Sequence, residues 1–231
     1  MEQSRNGDPC MDRFELSHSN ESLESTPLKM LDCFCGMGGV SDGFALEGFD
    51  VTGIDSVDAP KMLGYKHRFI QADMSVLKGE DFRGFDVVWG SPPCRDFSPF
   101  GRCYGKKWKN PPNPQKGKLL IKAYLCFIEE AKPTFWIMEN VHNLTKYIDL
   151  KPQIECYIRK KKHGFWGNFP QFLFGQIQGT SLTFRKGKYP EPKNQNRKLQ
   201  PWIHAKIPLA CNRAFAKACK DALLSEIEVG V

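Results

Sequence analysis

Ser91-Pro92-Pro93-Cys94 follows an apolar run, Phe85-Asp86-Val87-Val88-Trp89-Gly90. Each proline fixes its own φ and pushes the residue before it out of the helical region, so the backbone that carries the thiol is stiff. A cysteine so placed stands at the carboxyl end of a buried strand, where open α/β sheets bind their ligands. Glu139 follows a second apolar run, Thr134–Met138, and opens Glu139-Asn140-Val141. If the two runs are parallel strands, both ends share one edge and the thiol and the carboxyl can face one pocket. A thiolate is a strong nucleophile, and a buried glutamic acid can keep its proton and donate it. A nucleophile beside an acid suits addition to an electron-poor ring that protonation activates. Alone, the proline turn reads equally well as a turn with an incidental cysteine.

Asp32-Cys33-Phe34-Cys35-Gly36-Met37-Gly38-Gly39 joins a first strand to a first helix. Glycines let the backbone approach a ligand and adopt positive φ, and the helix N-terminus behind them attracts negative groups. Asp55 ends the second strand, where an acid can bind ribose hydroxyls, and Asp73 follows the third, within reach of an adenine amino group. Each Asp alone is more commonly a loop-capping carboxylate. No Lys-Ser/Thr follows the glycines, which excludes a P-loop, and the turn is not a clean GxGxxG. A nucleoside cofactor without a pyrophosphate fits it better than a dinucleotide.

The elements that must position these groups follow from the apolar runs. Strands are predicted at Leu28–Cys33, Phe49–Ile54, Arg68–Gln71, Phe85–Trp89 and Thr134–Met138. Helices are predicted at Val40–Glu47, at Lys118–Ala131 with Pro133 closing it, and at Leu209–Leu224 opened by Pro208. Strand, turn, helix, strand, repeated, predicts an α/β fold with a doubly wound, mostly parallel sheet. Residues 95–116 read as a long polar loop, a length that is usually functional. The organisation expected is a disordered tail over 1–27, a catalytic domain over 28–150, a small basic recognition region over 151–203, and a returning C-terminal helix over 204–231.

The chain has 231 residues, 41% of them hydrophobic, and a net charge of +7. That describes a soluble globular protein with one sizeable core. No apolar stretch has the length of a membrane span, and no hydrophobic run follows a basic start as in a secretory signal. Nine cysteines without a regular framework point to reduced thiols and an intracellular, cytoplasmic setting. Cys33 and Cys35 lack a second Cys/His pair at metal spacing, so no metal is expected. Residues 1–27 hold Arg5 and Arg13 against six acids, whereas 151–205 hold eleven Lys/Arg against Glu155 and Glu191. Residues 95–118 hold seven Lys/Arg against Asp96. Two basic segments point to a polyanion partner.

Taken together, Asp32–Gly39, Ser91-Pro92-Pro93-Cys94 and Glu139-Asn140-Val141 resemble the cytosine-C5 DNA methyltransferase family, in order and spacing, from about residue 28 to 144. Ala205-Lys206-Ile207-Pro208 leading into a helix is similar to the C-terminal segment of small phage-type and prokaryotic members. The resemblance implies a Rossmann-like fold that binds S-adenosylmethionine. Asp32, Phe34, Gly36, Gly38, Gly39 and Pro92 would form the cofactor site, with Asp55 on the ribose and Asp73 on the adenine. Cys94 would attack cytosine C6, and Glu139 would hydrogen-bond N3 and the exocyclic amine. Pro93 and Asn140 would fix the geometry of the loop and of Glu139. The partner implied is double-stranded DNA, with the base flipped out of the duplex and the protein acting as a monomer. Arg95, Ser98, Arg102, Lys106 and Lys107 of the loop, and Arg159, Lys161 and Lys162 beyond it, would contact the nucleic acid.

The chain departs from the family's pattern in two places. The Gln-x-Arg-x-Arg element after the Glu-Asn-Val strand is missing, with Arg159, Lys161 and Lys162 the expected partial replacement. His204-Ala205 stands where a Gly-Asn pair is usual. Phe165 and Trp166 read equally well as base-stacking groups and as the core of a small subdomain. Two other readings stay open: an RNA cytosine methyltransferase, and a degenerate binding protein that holds nucleic acid without turnover.

Overall fold

The computed structural model describes residues 26–98, 111–158, 161–170 and 206–229. Their strands are β1 (Lys29–Cys33), β2 (Asp50–Asp55), β3 (Arg68–Gln71), β4 (Val87–Gly90), β5 (Phe135–Val141), β6 (Ile154–Ile158) and β7 (Lys161–Asn168). The helices are α1 (Gly39–Leu46), α2 (Ala59–Leu63), α3 (Pro114–Ala131) and α4 (Leu209–Val229). All seven strands form one sheet in the order β3-β2-β1-β4-β5-β7-β6. β3 to β5 pair in parallel, and β7 joins β5 antiparallel. The chain order reverses between β1 and β4, and ligands of open α/β sheets bind beyond the strand ends at that point.

Successive side chains of a strand point to opposite faces, and the central strands are apolar on both. Met30, Trp89, Ile137 and Phe165 face α1 and α4. Their neighbours Leu31, Val88, Met138 and Trp166 face α3. Helices therefore cover both faces, as the doubly wound expectation requires. α3 begins four residues earlier than predicted, because Asn113 caps it through Lys116 N (3.1 Å) and Pro114 suits the first turn.

The expected boundary at residue 150 does not coincide with a structural one. β6 and β7 belong to the same sheet as β1 to β5, and Phe165 and Trp166 are buried in its two cores. Neither ring is free to stack on a base. Ordinary hydrophobic burial claims them, because β7 is the strand that covers the outer edge of β5. The tail over 1–27 lies outside the described residues except for its last two, and all of 171–203 lies outside them.

Candidate active site

β4 ends at Gly90, where a side chain has no room: a Cβ would lie 2.4 Å from the ring of Tyr124. Tyr124 projects from α3 and donates its hydroxyl to Ile137 O (3.0 Å), so the missing side chain lets α3 close over β4 and β5. The chain then runs through Ser91, whose N–H bonds Cys33 O and whose Oγ accepts from Trp89 Nε1 (2.9 Å). Pro92 is buried and Pro93 exposed. Pro93 is extended (φ −50°, ψ 113°), and a 3-10 turn, Cys94–Asp96, follows it.

β5 continues three residues beyond its predicted end, because its ladder with β7 extends to Val141↔His163. That extension places Glu139-Asn140-Val141 on a strand. Asn140 is fully buried. Its Nδ2 donates to Pro92 O (2.9 Å), and its Oδ1 accepts from Val141 N (2.9 Å). One side chain thus ties the end of β5 to the Pro-Pro-Cys turn. Asn143 adds a second tie, donating to Phe97 O (2.5 Å).

Cys94 and Glu139 are brought within electrostatic reach of each other. Burial pushes the Cys94 thiol above its ordinary value, the Glu139 charge pushes it further, and Lys161 of β7 pulls it back. Glu139 is buried, and its Oε1 lies 2.6 Å from Nδ1 of His163. His163 is a site residue that the sequence reading missed. It directly follows the basic run Arg159–Lys162, which reads as phosphate-tracking charge. The alternation of Lys161, His163 and Phe165 was the available signal that a strand runs there.

The glycine turn is built by local bonds. Phe34 (φ 63°), Gly36 (φ 51°) and Gly38 (φ 72°) are left-handed, and for Phe34 that is a strained conformation of the kind found at functional sites. Asp55 holds the turn: its Oδ2 accepts from Gly36 N (3.0 Å) and its Oδ1 from Val57 N (3.2 Å). Asp32 lies beneath, accepting from Ser41 N (3.1 Å) and Oγ (2.6 Å). Burial raises its carboxyl to about 7, against the pull of the Ser41 bonds. Asp32 is therefore engaged with α1 and does not face outward as a cofactor ligand would. Gly39 opens α1 beneath Lys206, whose side chain a Cβ there would meet at 3.2 Å. Asp73 caps a 3-10 turn, its Oδ1 accepting from Ser75 N (2.9 Å) and Oγ (2.8 Å), which lowers its carboxyl.

The expected nucleic-acid contacts divide. Arg95 is exposed beside Cys94, with Asp96 3.9 Å away. Ser98 is buried, its N–H bonded to Cys94 O, so it supports the turn and is not placed to track phosphates. Lys162 is paired with Glu155 (2.5 Å), and Lys161 stands by the thiol. Arg102, Lys106, Lys107 and Arg159 lie outside the described residues. Seven of the nine cysteines are described, all as free thiols. Among the described residues, no group of three or more His, Cys, Asp or Glu could hold a metal ion, and no helix is long and apolar enough to cross a membrane.

A family model, C-5 cytosine-specific DNA methylase, matches residues 28–151. The chain is 29% identical over 134 residues to the type II methyltransferase M.AgeI of Thalassovita gelatinovora, covering 51% of this chain and 28% of that protein. It is 26% identical over 196 residues to the DNA (cytosine-5)-methyltransferase PliMCI of Paracentrotus lividus, covering 74% of this chain and 11% of that one. A prophage-encoded E. coli protein, solved as a candidate DNA modification methyltransferase, is 22% identical with a TM-score of 0.43, covering 61% of this chain and 46% of that one. The match thus spans about a third or less of these curated relatives.

Proposed function

Because the chain belongs to the C-5 cytosine-specific DNA methylase family, we propose that it transfers a methyl group from S-adenosylmethionine to carbon 5 of a cytosine in duplex DNA. The observation that carries this reading is the bond from Asn140 Nδ2 to Pro92 O, which holds the turn of Cys94 against the strand of Glu139.

The glycine turn fits the cofactor. Its left-handed backbone at Phe34, Gly36 and Gly38 opens toward α1, and the Asp55 carboxylate keeps lone pairs for ribose hydroxyls beyond its two backbone bonds. The bonds that Asp73 makes to Ser75 use Oδ1, which leaves Oδ2 for an adenine amino group. Pro92, buried beside the turn, completes the wall. When bound, S-adenosylmethionine supplies the methyl electrophile.

Cytosine C5 is a poor nucleophile until a thiolate adds at C6. A duplex hides C6, so the base must leave the stack. Cys94 attacks C6 while Glu139 gives a proton to N3 and accepts from the exocyclic amine. After C5 is methylated, its proton passes to water, the C5–H electron pair forms the C5–C6 double bond, Cys94 leaves as the thiolate, and the ring regains aromaticity. The raised thiol of Cys94 means that the resting site holds SH, and ionisation belongs to the loaded state. Lys161 is the cation that favours the thiolate there. Arg95 and the basic residues of 95–118 would follow the phosphates, and the positive balance of the chain suits that role.

The test uses DNA carrying 5-fluorocytosine at the target, where the lost C5 proton is replaced by fluorine and the adduct cannot collapse. With S-adenosylmethionine present, a covalent protein–DNA species is expected, and Cys94→Ser should abolish it. An adduct that survives Cys94→Ser overturns the nucleophile. In a parallel assay with S-adenosylmethionine tritiated on its methyl group, label that enters tRNA and not duplex DNA overturns the substrate.

A further inference from the structure

We propose that His163 is a positioning residue that acts through Glu139: its Nδ1–H holds Oε1 and leaves Oε2 aimed at the ring nitrogen of the base. The role rests on the methyltransferase reading above. The contact that supports it is short, 2.6 Å, and both side chains are largely shielded from solvent. Backbone pairing fixes its placement. The β5–β7 ladder runs from Trp136↔Asn168 through Glu139↔Phe165 to Val141↔His163, so the imidazole stands one same-face step along from the carboxyl.

The chemistry of Glu139 makes such a donor necessary. In the loaded site Oε2 takes up a proton, and as the thiolate of Cys94 bonds to C6 that proton passes to N3 and leaves the carboxylate again in a buried place. A buried charge without a partner is costly. The titratable groups that face Glu139 are Cys94 from the turn after β4, Cys156 from β6 and Cys211 from α4, each of whose thiols the Glu139 charge pushes up. None of these thiols carries a positive charge. Lys161, two residues before His163 on the same strand, acts at Cys94. Among the described residues the side chain bonded to that of Glu139 is His163, and the tautomer with its proton on Nδ1 supplies the donor. The Nδ1–H strengthens its bond as the carboxylate forms. When the C5 proton is lost and Cys94 departs, N3 returns its proton to Oε2. His163 neither gains nor loses a proton in the cycle.

The decisive comparison is of methyl transfer to duplex DNA by the unaltered chain, His163→Leu, His163→Gln and His163→Arg, across pH 5.5 to 9. His163→Leu should lower kcat by about 30- to 100-fold with KM for DNA and cofactor within about threefold, because the interaction lost is made chiefly in the transition state. His163→Arg keeps a charged donor and should recover kcat to within about tenfold, with a pH–rate profile that loses any imidazole limb. His163→Leu at full kcat overturns the role, and so does a loss that neither His163→Gln nor His163→Arg recovers in part. A second measurement needs no turnover. In protein labelled with 15N-histidine, His163 should show a downfield, exchange-protected Nδ1 proton that Glu139→Ala removes. Transfer with that signal absent overturns the role of His163 alone. The signal without any transfer by the unaltered chain overturns the methyltransferase reading.

Discussion

Asp32 sits beneath the glycine turn as a carboxyl that burial opposes and Ser41 retains. Its folded value of about 7 lies above the reference of 3.8. Between those values the folded chain holds a proton that the unfolded chain has lost, so stability falls as pH rises through the window and the cost is complete above about 7. Below the reference value both states are protonated and the cost is absent. Asn in its place can keep both bonds from Ser41 and cannot ionise. Relative to the unaltered chain, Asp32→Asn should therefore gain about 1–2 kcal/mol in stability between pH 5.5 and pH 8. Denaturant unfolding at the two pH values measures this, and an equal difference at both would show that Asp32 is ionised throughout. The residue scale was partly legible. Cys94, Glu139 and Asn140 announce themselves by the turn and strand they end, and the structure brings them together. Asp32 has the type and place of a ligand, but its use as a support depends on Ser41, which no spacing rule singles out.

At the scale of elements, α1 and α4 approach so closely that a side chain is excluded. A Cβ on Gly43 would lie 2.5 Å from the Cβ of Asn212 and 3.0 Å from its carbonyl carbon. Asn212 in turn donates to Gly39 O (2.7 Å), at the end of the glycine turn. Intrinsic propensity would make Gly43→Ala favourable by about 1 kcal/mol in a helix. Overpacking against backbone outweighs that, and Gly43→Ala should destabilise by about 1–3 kcal/mol and weaken S-adenosylmethionine binding as Asn212 is displaced. Thermal unfolding and cofactor titration check both parts, and a stabilised variant would show that the helices can move apart freely. β1, β2, β4 and β5 were legible because a strand buried on both faces is a continuous apolar run closed by turn residues. β6 and β7 were not. β7 carries Lys161, Lys162 and Gly164 although it lies between β5 and β6, and a residue paired through the backbone ladder need not be apolar. The short α2 left no periodicity to read, although Asp58, Pro60 and Gly64 mark its two ends.

At the scale of the molecule, the sheet is closed by residues far apart in the chain. Phe215 of α4 packs on Trp89 of β4 (5.1 Å between ring centres), on Phe165 of β7 (4.9 Å) and on Phe169 beyond it (5.6 Å). Cys211, Ala216, Cys219 and Leu223 bury the rest of that helix face against the core that α1 shares. Each large side chain so buried contributes about 1.5–3 kcal/mol, against a total stability of about 5–15 kcal/mol for a domain. Losing α4 would thus remove an amount comparable to the whole margin, and would also free Gly39 O from Asn212. A chain ending at residue 205 should show secondary structure by far-ultraviolet circular dichroism but no sharp thermal transition, and should bind no S-adenosylmethionine. A synthetic peptide of residues 206–231 added in excess should restore both, because the apolar side chains it covers on β4 and β7, Trp89 and Phe165, remain in the truncated chain. Cooperative unfolding of the truncated chain at an unchanged midpoint would show instead that α1 and the sheet close this core without α4.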